Sequence, residues 1–119
     1  VFEDVDDVDE HLYGVDGTGF NNIWVVGQKG TVLQWNGVTW RSVDIDSDAN
    51  MWSVWTPAMN VAYVVGSNGE AYRIDMSDGS VTELPTGVPN VLYCVTGTTE
   101  ANVWATGARG VALNYAWGG

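Results

Sequence analysis

Leu12, Met51 and Leu92 each begin the same pattern of residues. The next position holds Tyr13, Trp52 or Tyr93, and two further on stands Val15, Val54 or Val95. Twelve residues after each start come Trp24, Tyr63 and Trp104, and at fifteen come Gly27, Gly66 and Gly107. Gly30, Gly69 and Gly110 follow at eighteen, then Trp35, Ile74 and Tyr115 at twenty-three. The period is 39 residues and then 41, the length of a small β-sheet unit that stacks sideways on copies of itself. No stretch carries helical periodicity, so the fold class is all-β.

Turn residues cut each repeat into strands. The first strand is expected at residues 12–15, 51–54 and 92–95, and the second at 23–26, 62–65 and 103–106. Each Gly-x-x-Gly step is expected to be a tight turn, because glycine takes positive φ without a steric cost. The third strand is expected at 31–35, 70–74 and 111–115. Asn36-Gly37, matched by Ser77-Asp78-Gly79-Ser80, leads to a fourth strand at 40–45 and 81–84. The third repeat stops after its third strand, while Phe2-Glu3-Asp4-Val5 matches Trp40-Arg41-Ser42-Val43 and Val81-Thr82-Glu83-Leu84. The expected order is a closing outer strand and loop (1–10), two four-stranded blades (11–49 and 50–89), and a third blade (90–119) lacking its outer strand. That is a β-propeller of three four-stranded antiparallel blades, with the N-terminal strand acting as velcro. Three blades leave two broad faces bare; a homodimer would join them into a six-bladed ring, and the alternative is a fragment of a longer propeller whose further blades cover them.

The run Ile23-Trp24-Val25-Val26-Gly27-Gln28-Lys29-Gly30-Thr31-Val32-Leu33-Gln34-Trp35-Asn36-Gly37-Val38-Thr39-Trp40 resembles a blade of bacterial propellers of the BNR/Asp-box (sialidase-like) and photosystem-assembly-factor-like types. Asn36-Gly37-Val38-Thr39-Trp40 keeps the Gly and Trp of the Asp-box. The resemblance extends over all three repeats. It implies a propeller fold and a recognition function, and it carries no reaction.

Charge narrows the partners. Fifteen acids face four cations, for a net charge of −11. Nucleic acid and anionic membranes are poor partners for such a chain, because phosphate neutralisation needs clustered Lys and Arg. No apolar run reaches the ~20 residues of a membrane-crossing helix. Antiparallel order puts the connections between blades at the same end as the turns between second and third strands. That end is expected to gather Asp6, Asp7, Asp9, Glu10, Asp44, Asp46 and Asp48, with Lys29, Asn68 and Arg109 among them. Such a face suits a basic protein or peptide, while solubility and the turn preference of Asp explain it equally.

Asp44, Asp46 and Asp48 alternate as in a Ca²⁺ loop, but Ala49 and Trp55 stand where a Gly and a bidentate Glu belong. They form a weak metal candidate, and no cofactor is expected. Trp24, Trp35, Trp40, Trp52 and Trp104 fall in repeat columns and are expected mainly in the core. Trp55 and Trp117 fall outside the strictest columns, which makes them candidates for stacking a sugar or lining an interface. Cys94 is the only cysteine, excluding an internal disulfide, and is expected as a buried inert thiol. His11, the single histidine, has no nucleophile assigned to it by any motif, and Arg41, Arg73 and Arg109 lie on different parts of the blades. No catalytic residues are assigned. The expected function is a non-enzymatic binding or scaffolding propeller that assembles with itself and recognises a protein or peptide through the acidic face. The alternatives are a lectin-like glycan binder with one pocket per blade and a glycosidase-like enzyme using two acids of that face.

Overall fold

A computed structural model describes residues 10–117, which contain eleven strands and no α-helix. The first sheet is β1 (Leu12–Gly19), β2 (Asn22–Gly27), β3 (Val32–Trp35) and β4 (Trp40–Ser42). The second is β5 (Met51–Ala58), β6 (Val61–Gly66), β7 (Ala71–Asp75) and β8 (Ser80–Glu83). The third has three strands, β9 (Leu92–Thr99), β10 (Asn102–Gly107) and β11 (Ala112–Tyr115). Every pairing is antiparallel and joins strands adjacent in sequence, so each sheet is a meander. The sheets are not joined into a closed ring. The segment Phe2–Val5, expected as velcro, lies outside the described residues.

First strands run to Gly19, Ala58 and Thr99, four residues beyond expectation, because β1 and β5 end in two-residue hairpins that pair Gly19 with Asn22 and Ala58 with Val61. Fourth strands are short: β4 ends at Ser42, yet Val43 and Ile45 beyond it are buried. Val43 N–H still donates to the Val32 carbonyl (2.9 Å), and both side chains serve the core.

Alternation along each strand gives every sheet two faces. One carries Asn22, Trp24, Val26, Val32 and Gln34 in the first sheet, all buried. It packs on Met51, Val54, Ala62, Val64, Tyr72 and Ile74 of the second sheet. The second sheet turns Val61, Tyr63, Val65, Ala71 and Leu84 to the third, against Leu92, Val95 and Val103. Each sheet therefore lays its leading face on the trailing face of the next. The first strands β1, β5 and β9 pack against one another across the seams and form the inner rim of the stack.

Candidate functional site

Between the second and third strands of each sheet lies a one-turn 3-10 segment, Gln28–Gly30, Ser67–Gly69 or Ala108–Gly110. The first glycine of each step is not the turn residue: Gly27, Gly66 and Gly107 are extended, with φ of −168°, −161° and −161°. They are required by crowding. A Cβ on Gly27 would lie 2.2 Å from the His11 carbonyl, on Gly66 2.2 Å from that of Asn50, and on Gly107 2.0 Å from that of Val91. The same carbonyls accept the next N–H, from Gln28 (2.9 Å), Ser67 (2.9 Å) and Ala108 (2.8 Å). Positive φ falls instead on Gly30, Gly69 and Gly110, and on the residue before each: Lys29 (58°), Asn68 (63°) and Arg109 (63°). Asn tolerates that region, whereas Lys and Arg there cost on the order of 1 kcal/mol each. All three side chains are exposed at the turn tips.

The blade connections meet these turns. Gly30 N–H donates to the Ala49 carbonyl (2.7 Å) and Lys29 N–H to Asn50 Oδ1 (3.1 Å), while Thr86 Oγ1 donates to the Gly69 carbonyl (2.6 Å). Asp44, Asp46 and Asp48 are exposed and Glu10 is half-buried, and Lys29, Asn68 and Arg109 stand exposed at the turn tips. Asp6, Asp7 and Asp9 lie outside the described residues. The Ca²⁺ candidate does not form a site: Asp44 Oδ1 accepts the Asp46 N–H (2.8 Å) to make a local turn, and no metal-holding group of three acids, histidines or cysteines occurs among the described residues.

A feature missed by sequence reasoning lies at the same end. Tyr13 and Trp52 stack at 4.3 Å and 25°, and Trp52 meets Tyr93 edge-on at 5.9 Å and 66°. The rings form a continuous row across the inner strands of all three sheets. Trp52 Nε1 donates to Ser67 Oγ (3.2 Å), which ties the row to a turn, and both tyrosines are exposed. A signal was present: Tyr13, Trp52 and Tyr93 fall in one repeat column, so aromatic rings recur at the same point of three stacked sheets.

The remaining tryptophans divide differently from expectation. Among the repeat-column tryptophans only Trp24 is fully buried; Trp35, Trp40 and Trp52 are half-buried, and Trp104 is exposed. Trp55 packs on Tyr63 (5.8 Å) in the seam between second and third sheets, and the Arg73 guanidinium lies 4.2 Å above the Trp117 ring beside that seam. Cys94 is exposed, contrary to expectation. Its counterparts Gly14 and Ser53 touch the following sheet, Gly14 against Trp52 and Ser53 through Oγ to the Val95 N–H (3.2 Å). No sheet follows the third among the described residues, and its thiol is left in solvent.

Chemistry away from the loop end is structural. Glu100 Oε1 accepts from Arg73 Nε (2.8 Å) and Tyr63 OH (2.9 Å), and so clamps the second seam. Burial and the neighbouring Glu100 carboxylate hold the Tyr63 hydroxyl well above its usual pKa. Burial, with the bond to Glu70, pushes Tyr72 up to about 12. Beside β11 the same seam leaves an open, mainly apolar cavity of about 110 Å³, lined among others by Val65, Ala71, Leu84, Val95 and Leu113. His11 is exposed, Arg41 bonds to Gln34 in the first seam, and Arg73 lies in the second.

Meander sheets stacked leading face on trailing face, with loops and an aromatic row at one end, define a propeller-like repeat protein. Among solved structures the chain is similar to YCF48 bound to D1 peptide, with a TM-score of 0.75 and 16% identity. The likeness covers 92% of this chain but 38% of that one, so this chain spans well under half of its length. At that identity the likeness shows the fold. No family model matches the sequence, and no curated protein matches it.

Proposed function

We propose that the chain is a non-enzymatic propeller module that recognises an extended basic peptide or protein segment at the loop end of its blades and assembles with itself. The observation that carries the recognition reading is the coincidence, at one end, of exposed Asp44, Asp46 and Asp48 with the Tyr13–Trp52–Tyr93 row. Carboxylates attract Lys and Arg, and aromatic faces hold the cation or its aliphatic stem once water is displaced. The likeness to YCF48, solved with a D1 peptide, supports a peptide over a small molecule.

Self-assembly draws support from the outer faces of the first and third sheets and from the edge of β11, none of which a described residue covers. A fourth strand would lie along that edge and cover the apolar cavity. In this reading residues 2–5 supply it and two copies make the six-bladed ring.

Titration with a panel of Lys- and Arg-rich peptides, read by Trp emission, tests the recognition reading. Reversing charge at Asp44, Asp46 and Asp48 together, and Trp52→Ala separately, should each weaken the best peptide at least about tenfold. Unchanged affinity in both variants dismisses this end of the blades. A glycan array bound in place of any peptide would favour the lectin alternative.

A further inference from the structure

The third sheet carries, in solvent, a copy of the polar cluster that fastens the first sheet to the second. In the first seam Asn22 is fully buried, and its Oδ1 accepts from Trp24 Nε1 (2.9 Å) and Gln34 Nε2 (3.0 Å). Its Nδ2 donates to Thr18 Oγ1 (3.0 Å) within its own sheet. The remaining bonds cross the seam: Nδ2 to Thr56 Oγ1 (3.0 Å) and to the Ala58 carbonyl (3.3 Å), and Asn60 N–H to Oδ1 (3.3 Å). Gln34 Nε2 adds a bond to Asn60 Oδ1 (3.1 Å). The second sheet's β5–β6 hairpin is thus gripped by one asparagine of the sheet before it.

One repeat pair later the intra-sheet half recurs. Asn102 Oδ1 accepts from Trp104 Nε1 (3.0 Å) and Asn114 Nδ2 (3.0 Å), and Asn102 Nδ2 donates to Thr98 Oγ1 (3.1 Å). Here the indole is 43% exposed, where Trp24 is at 0%. Around the cluster Thr106, Ala112 and Cys94 are exposed, and a Cβ on Gly110 would meet nothing, whereas one on Gly30 or Gly69 would meet the next connection. The cluster has its own-sheet partners and lacks those across a seam.

At the other end of the stack the first sheet offers the complementary parts. Its trailing face exposes Leu12 and Val15 (69%) at the positions that are buried Met51 and Val54 in the second sheet. Its β1–β2 hairpin places Gly19 and Asn21 where the second sheet has Ala58 and Asn60. The Ala58 and Asn60 contacts to Asn22 use a backbone carbonyl and a backbone N–H, which Gly19 and Asn21 supply equally. The Asn60 side chain that receives Gln34 is again an asparagine at 21. Two differences remain: Gly17 replaces Thr56, and Asn21 lacks the positive φ of Asn60 (66°), so its N–H must turn to meet Oδ1.

We propose that the Asn102–Trp104–Asn114 cluster is a docking site for the β1–β2 hairpin and trailing face of a second copy of this chain, with Asn102 bonding the Gly19 carbonyl and the Asn21 N–H. This rests on the self-assembly reading and names its interface. A two-fold pair makes the same junction twice. In it Cys94 takes the place of Ser53 against the next sheet and loses its contact with water.

The test combines sedimentation velocity across concentration with the rate of Cys94 modification by a thiol reagent. The wild-type chain should associate, and Cys94 should react at least about tenfold more slowly in the associated species. Asn102→Asp keeps both accepted bonds but replaces the Nδ2 donor by a charge facing a carbonyl, and should weaken association roughly ten- to a hundredfold. Val15→Lys, on the opposite face, should do the same. Val15 is exposed and Asn102 half-buried without cross-seam partners in the single chain, so both variants should unfold near the wild-type temperature below the association range. Association with Cys94 fully reactive, or with Asn102→Asp assembling as the wild type does, overturns the interface and leaves self-assembly through another surface. A chain that stays monomeric at hundreds of micromolar overturns both.

Discussion

Asn22 and Asn102 sit in the same hydrogen-bond pattern, each accepting from a tryptophan indole on its own strand and from an amide on the neighbouring strand. One cluster is sealed by a neighbouring sheet and the other faces solvent. Local sequence is therefore sufficient to build the cluster, and the neighbouring sheet determines what it is worth. In water the indole and amides of the third sheet can exchange partners freely, so their bonds add little. Under a second sheet, the same groups would each cost about 1–3 kcal/mol if left unpaired.

That contrast can be broken most forcefully at the indoles. Trp24→Ala empties the centre of the first seam and should cost about 3–5 kcal/mol in chemical denaturation. Trp104→Ala in dilute protein should stay within roughly 0.5–1 kcal/mol; equal losses would mean that the third sheet's leading face is covered within one chain. Next comes the hub itself. Asn22→Ala strands Trp24 Nε1 and the seam-crossing groups, and should cost about 2–3 kcal/mol, while Asn102→Ala should be nearly neutral below the association range.

The two seams offer a finer comparison. The Asn22 hub of the first seam is neutral, beside one bond in which the Thr56 N–H donates to the Asp16 carboxylate (2.9 Å), whereas the second is clamped by Arg73 and Glu100, whose side chains are 11% and 30% exposed. Glu100→Gln should cost about 1 kcal/mol, an amount reduced by salt, whereas the effect of Asn22→Ala should be insensitive to salt. The smallest effect is expected at high pH. Tyr72 is raised from 10 to about 12 and Tyr63 is raised as well, so the folded chain holds these protons more tightly than the unfolded one. Their contribution is complete below pH 10 and is lost as pH rises through about 12. Unfolding free energy measured from pH 9 to 12 should fall for the wild type, and less for Tyr72→Phe.

Much of the architecture was legible because glycine and aromatic columns are dictated by the backbone. The all-β class and the three antiparallel sheets follow from them. The columns were less informative about cause. Gly27 reads as a turn residue, yet it is extended and kept small by the His11 carbonyl. The tryptophan columns read as core, but burial depends on which neighbour a face meets. Hence Trp24 and Trp104 share a column and differ in exposure. Cys94 misled for the same reason. The seam fasteners were hidden altogether, since Asn22, Gln34 and Thr56 look like solvent-facing positions of a strand until a second sheet is laid over them. The aromatic row was legible as the shared column of Tyr13, Trp52 and Tyr93.

The stacking of leading on trailing faces can be read directly from solvent exchange of two indole N–H protons by NMR in dilute protein. Both protons are bonded to an asparagine oxygen at about the same distance, 2.9 Å for Trp24 and 3.0 Å for Trp104. The Trp24 proton should exchange orders of magnitude more slowly, and the Trp104 proton should become protected only as concentration drives chains together. Equal exchange of the two at every concentration would contradict the seams described for this fold.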